Sequence, residues 1–90
     1  MLEAEEKAKA ALERKMTAQE REVYLSELAK KYPEGKTVEQ ENYSRLKITR
    51  VIIVKNKKAT EYKRAEFSFG TFFKKNGMDI TENTYKLETK

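Results

Sequence analysis

Leu46-Lys47-Ile48-Thr49-Arg50-Val51-Ile52-Ile53-Val54-Lys55 carries apolar side chains on both sides of an extended chain. Successive side chains of a strand point to opposite faces, so Leu46, Ile48, Ile52 and Val54 share one face while Val51 and Ile53 take the other. A strand apolar on both faces must be covered on both, which makes this run the predicted centre of a sheet. Asn56-Lys57-Lys58 reads as a turn, and a second strand follows from about Ala59 to Phe69. Ala59, Ala65, Phe67 and Phe69 face one way; Thr60, Tyr62, Arg64 and Glu66 face the other. Gly70 marks a bulge or bend. Thr71 to Lys75 read as a third strand. Asn76-Gly77 is the strongest hairpin signal in the chain, because this dipeptide suits a tight two-residue turn. Met78 to Ile80 return, and Asp79 or Thr81 can cap a last helix from Glu82 to about Glu88, with Tyr85 folding back on the core.

Upstream of the central strand, residues 37–43 read as a short strand with Val38 and Tyr43 as its apolar points. Thr37-Val38-Glu39-Gln40 also fits a helical capping box, the competing reading. Pro33-Glu34-Gly35 is the clearest boundary, since a proline disfavours helical geometry in the residue before it. Residues 2–32, rich in Ala, Glu, Lys, Arg and Leu and free of Gly and Pro, favour helix. At roughly 100° per residue, Ala8, Leu12, Met16 and Val23 gather on one side, and Tyr24, Leu25, Leu28 and Tyr32 nearly opposite. Either the helix breaks at Thr17, where Thr17-Ala18-Gln19-Glu20 fits a capping box, or one helix shows different faces to different surfaces. The second half is expected on the sheet. The first half is either a solvated end or a surface for another chain through Ala8, Leu12 and Met16.

The expected organisation is therefore α+β: a charged helix or helix pair over residues 1–32, a turn over 33–36, and an antiparallel module of three to five strands with a short C-terminal helix over 37–90. A chain of 90 residues buries only about 60% of the surface its unfolded form exposes, so the core is thin and a partner would help. Charged residues make up 39% of the chain, yet the apolar ones cluster, which argues against disorder. The longest apolar run, Val51 to Val54, is far short of the roughly 20 residues of a membrane span. The acidic start, Met1-Leu2-Glu3-Ala4-Glu5-Glu6, does not read as a signal peptide. These features assign no compartment.

The chain has no cysteine and no histidine, so thiolate chemistry, disulfides and the commonest general base and metal ligand are absent. Gly35-Lys36-Thr37 resembles the end of a phosphate-binding loop, but the required earlier glycine position is Lys30 and a helix precedes it, so the match fails. The carboxylates suit Glu–Lys pairing on a helix. No metal-loop spacing occurs, and Asp79 is the only aspartate. Asn42-Tyr43-Ser44 matches the glycosylation triplet, which arises often by chance. The reading is a non-enzyme with no cofactor, no metal and no small-molecule substrate.

Charge is uneven. Residues 45–75 hold ten Lys/Arg against two Glu, a local +8, whereas residues 1–44 hold eight against ten. This basic segment is either an anion-binding surface of Arg45, Lys47, Arg50, Lys55, Lys57, Lys58, Lys63, Arg64, Lys74 and Lys75, or a lysine-protected sheet. Glu66-Phe67-Ser68-Phe69-Gly70-Thr71-Phe72-Phe73-Lys74-Lys75 interleaves rings with cations, as single-stranded nucleic acid binding requires, with Tyr62 and Phe72 as base-stacking candidates. The competing reading places Phe67, Phe69, Phe72 and Phe73 in the core.

Tyr32-Pro33-Glu34-Gly35, Ile48-Thr49-Arg50-Val51-Ile52-Ile53-Val54, Phe73-Lys74-Lys75-Asn76-Gly77 and Ile80-Thr81-Glu82-Asn83-Thr84-Tyr85-Lys86-Leu87-Glu88-Thr89 form an ordered series. Over roughly residues 32–89 it resembles a small C-terminal module that follows charged helices in exported cell-envelope proteins of Bacteroidota. Phe69-Gly70-Thr71 stands where those modules carry Trp-Gly-Gly. The resemblance implies an extracytoplasmic setting and an interaction or anchoring role, with no catalytic residues. The leading expectation is a structural or protein-interaction module. The rival is a nucleic-acid-binding module on the basic aromatic sheet.

Overall fold

The computed structural model describes residues 2–90. Helices α1 (Leu2–Glu13) and α2 (Ala18–Lys31) are followed by strands β1 (Gly35–Asn42), β2 (Leu46–Lys55), β3 (Lys58–Phe67), β4 (Gly70–Lys75) and β5 (Met78–Ile80), then helix α3 (Glu82–Glu88). The strands form one antiparallel sheet in sequence order, so the fold is an α+β meander with β2 and β3 near its middle. Strand β1 begins at Gly35, two residues inside the expected turn, and β3 ends at Phe67, leaving Ser68-Phe69 to the bend.

The helix breaks where the capping box lies. The Thr17 hydroxyl accepts the Glu20 backbone N–H at 3.1 Å, and the Glu20 carboxylate accepts the Thr17 N–H at 3.0 Å. Register explains the break. Glu39, Arg50, Lys63, Lys74 and Asp79 lie opposite one another in a charged row across the helix-covered face of the sheet. On one side of that row Leu12 of α1 packs on Leu46, Ile48 and Ala65, with Ala8, Tyr43 and Phe67 around them. On the other, Leu28 of α2 packs on Ile52, Val54 and Ala59, with Tyr24, Leu25, Ala29 and Tyr32. One straight helix would lay apolar side chains across the charges; two helices cover the two apolar patches separately.

Two expectations are corrected here. Leu12 is 5% exposed and Ala8 packs beside it, so α1 spends its apolar stripe on its own sheet rather than on another chain. Met16 is half-buried in the α1–α2 connection, and Val23, grouped with these residues by helical angle, is exposed because the break resets the phase. The phenylalanines are not the core: Phe69 and Phe72 are exposed, and Phe67 and Phe73 are half-buried. The core is aliphatic, centred on Ile52, together with Tyr62 and Tyr85.

The opposite face of the sheet is covered by α3. The Thr81 hydroxyl caps its start. Tyr85 packs on Val51 and Tyr62, flanked by Ile53, Phe73 and Ile80. Its ring meets that of Tyr62 edge-on at 6.4 Å. This is the second layer that Val51 and Ile53 required.

Candidate interaction surfaces

Three groups of polar or aromatic side chains stand out, and their geometry separates structural from binding roles. The first is buried. Arg50 projects from the middle of β2 between Ile48 and Ile52, under α2. Its Nε and Nη2 donate to Glu61 Oε2, and its Nη1 donates to Glu39 Oε1 at 3.0 Å. The Tyr24 hydroxyl donates to Glu61 at 2.7 Å, and the Tyr32 hydroxyl to Glu39 at 2.9 Å. The Glu61 side chain is 4% exposed, so this is a desolvated ion pair satisfied on both sides. Burial works against the charge of Arg50, but Glu61 beside it more than offsets that and holds the guanidinium above its ordinary range. Burial, with Glu61 as hydrogen-bond partner, pushes the Tyr24 phenol up to about 12. The network fastens α2 to the sheet.

Arg50 therefore cannot serve an anion-binding surface, which corrects its sequence assignment. Tyr62 is corrected likewise. It is 5% exposed beneath Tyr85, and its hydroxyl donates to Glu88 at 2.7 Å, so no base can stack on it. Lys75 joins the same carboxylate at 2.6 Å. Desolvation and then Glu88 raise the Tyr62 pKa, while the hydrogen bonds of Lys75 and Tyr62 lower that of Glu88.

The remaining sequence-named cations do not share one surface. Lys63 and Lys74 belong to the charged row under the helices. Lys47, Lys55, Lys58, Arg64 and Lys75 project from the other face by strand alternation. Arg45 pairs with Glu5, Arg64 with Glu66 and Lys74 with Asp79. The contiguous +8 in the sequence is thus divided by the pleat and largely met by the chain's own carboxylates.

The second group is an aromatic corner where the β3–β4 bend meets α1. The rings of Phe67 and Phe69 stack at 5.0 Å, and Phe72 stands edge-on to both at 5.7 and 6.1 Å. Phe69 is 71% exposed and Phe72 is 47% exposed. Phe69 parts two clefts. One, of about 290 Å³, is walled by Leu12, Ala65, Phe67 and Phe72 with Lys9 and Lys74 at its margin. The other, of about 310 Å³, is bounded by Glu5, Glu6, Lys9, Arg45 and Phe67. The sequence named Phe72 but missed Phe69, whose exposure follows from its place in the bend.

The third group is a set of lysines at the opposite end. Lys55, Lys57 and Lys58 form the tip of the β2–β3 hairpin, and all three are exposed. Glu34 accepts the backbone N–H of Asn56 at 2.7 Å, which ties the turn after α2 to this tip; Lys30 and Lys31 lie in the last turn of α2, Lys31 with its ammonium over the Tyr32 ring. Of the three hairpin lysines and the two on α2, none has a carboxylate within ion-pair distance among the described residues.

Among the described residues no three His, Cys, Asp or Glu gather where a metal ion could sit, and no helix is long and apolar enough to cross a membrane. The chain matches no protein-family model, no curated protein and no solved structure, so the functional reading rests on its own residues.

Proposed function

We propose that this chain is a non-catalytic protein-interaction module whose contact point is the Phe67–Phe69–Phe72 corner. The exposure of two adjacent phenylalanines in a domain with so thin a core is the observation that carries this reading. Large exposed rings are costly in a monomer unless they meet something, and rigid aromatic anchors beside clefts are how partners gain most of their binding energy. The rim is polar and balanced: Arg45 is paired with Glu5, and Lys74 with Asp79. That is the anatomy of a protein interface, with an apolar centre and a polar margin. The resemblance of residues 32–89 to modules of exported envelope proteins supports a place in a cell-envelope assembly.

Peptides selected from a random displayed library against the wild-type domain test this reading. Peptides with an apolar anchor are expected, and Phe69→Ser and Phe72→Ser should each weaken them at least about tenfold, the range of a moderate hot spot. Recovery of peptides that bind both variants as tightly as wild type would place the interface elsewhere.

A second reading rests on Phe72 and Phe69 standing beside Lys9, Arg45 and Lys74, as a stacking platform for single-stranded nucleic acid. It expects short labelled single strands to bind at near-physiological salt and to be released by Phe72→Ser. It ranks second because two of those three cations are neutralised within the chain.

A further inference from the structure

The lysines at the hairpin end form a surface that neither the core nor the aromatic corner explains. Four element ends lie there. The β2–β3 hairpin brings Lys55, Lys57 and Lys58. The last turn of α2 brings Lys30 and Lys31. Lys36, at the start of β1, donates to the backbone carbonyl of Thr89, which draws the end of α3 and Lys90 to the same region. The carboxylates nearby are few: Glu34 is held by the Asn56 N–H, and Glu22 flanks a shallow depression beside Lys57 and Lys58.

The backbone at Lys57 adds an independent observation. Asn56 and Lys57 have φ of 54° and 64°, both in the left-handed region. A two-residue turn of that kind favours Asn-Gly, which the β4–β5 hairpin uses at Asn76 and Gly77, with φ of 52° and 83°. At the β2–β3 tip a lysine occupies the position where glycine folds more easily. Residues held in disfavoured conformations concentrate where function needs the side chain.

We infer that this end of the molecule docks on an anionic lipid surface. The charge is lysine alone, and lysine acts as a hydrated point charge suited to diffuse attraction, whereas arginine's planar fork suits defined phosphate contacts. Arg14, Arg45, Arg50 and Arg64 are ion-paired elsewhere, and Arg21 turns its guanidinium to the Met16 carbonyl. Among the described residues no exposed ring stands among these lysines to stack on a base; the half-buried Tyr32, beneath Lys31, is tied to Glu39. A broad end built from four element ends, rather than a groove, fits a plane of headgroups, where clustered lysines each add to attraction within about a Debye length.

Sedimentation with vesicles of phosphatidylcholine mixed with phosphatidylglycerol, and with phosphatidylcholine alone, tests this. Binding is expected only to the mixed vesicles and should fall steeply with salt. Lys57→Glu combined with Lys58→Glu should weaken it by about 30-fold or more, from roughly fivefold per lysine lost. Lys7→Glu with Lys15→Glu, the same change in net charge placed on α1 and the connection after it, should leave most binding intact. Lys57→Gly separates binding from folding: it should unfold no earlier than wild type yet bind the mixed vesicles about fivefold less. Phe69→Ser should bind vesicles as wild type does. Equal loss in the Lys7/Lys15 variant would reduce the effect to net charge and overturn the site. Tighter, hairpin-dependent binding to short duplex DNA than to the mixed vesicles would overturn the choice of lipid.

Discussion

Replacing Arg50 by alanine should cost more stability than deletion of any surface cation in this chain. Arg50 supplies two of the hydrogen bonds to Glu61 and one to Glu39. Without it, Glu61, whose side chain is 4% exposed in the wild-type protein, keeps only the Tyr24 hydroxyl at 2.7 Å and Lys63 at 3.9 Å. Breaking a buried pair by removing one partner costs about 3–5 kcal/mol, because the remaining charge stays desolvated and uncompensated. A chain of 90 residues has roughly 5–13 kcal/mol of total stability. The loss is therefore a large share of the whole and should lower Tm by roughly 15–30 °C. Urea unfolding followed by circular dichroism reads it directly. The informative control is Arg50→Met with Glu61→Leu, which removes both charges and keeps the volume. Its loss should be smaller than that of Arg50→Ala by about 2 kcal/mol, since apolar replacement of a buried pair is often neutral or better. Losses for Arg50→Ala under about 1 kcal/mol, the scale of an exposed pair, would refute the reasoning, because they would mean that Glu61 is hydrated.

Leu12→Ala should destabilise by about 2–5 kcal/mol in the same assay, as a buried leucine does, whereas a solvated α1 would lose almost nothing. Thr17→Ala removes the acceptor for the Glu20 N–H and should cost about 1 kcal/mol in urea unfolding. Alkaline titration of phenol absorbance should show Tyr24 ionising late, near pH 12. Its folded pKa lies above the unfolded value, so its contribution is complete below the unfolded pKa of about 10 and fades as pH rises towards about 12. Tyr24→Phe should flatten that part of the stability profile.

Much of the fold was legible because its signals are local. The alternation of Leu46 to Val54, the Asn76-Gly77 hairpin, the Thr17–Glu20 box and Pro33 each act within a few residues, and each corresponds to an element edge or face. What α1 covers was not local. Ala8, Leu12 and Met16 form an apolar stripe whichever surface they meet, and only the register placing Leu46, Ile48 and Ala65 together supplies that surface. The phenylalanines misled for a related reason. Phe67 and Phe72 lie on the helix-covered face, but at its far end, where α1 leaves the rings half open, and Phe69 sits in a bend that no layer covers.

The candidate surfaces were legible only in composition. The +8 of residues 45–75 looks like one patch in sequence, yet a pleated strand sends neighbouring cations to opposite faces, so contiguity in sequence disperses charge in space. The reverse holds at the hairpin end. The start of β1, the β2–β3 tip and the end of α3 are far apart in the chain and lie at one end of the sheet, where Lys36 reaches the Thr89 carbonyl and Glu34 holds the Asn56 N–H. No local pattern announces such a meeting. The one local trace is Lys57 at a left-handed turn position, visible in sequence as Asn-Lys where Asn-Gly is favoured. If attraction were the accidental result of a basic composition, Lys57 would be the first lysine to give way to glycine, since that exchange relieves the backbone at the cost of a single charge. Its presence at an exposed hairpin tip is therefore an argument for a contact that needs the charge in that place.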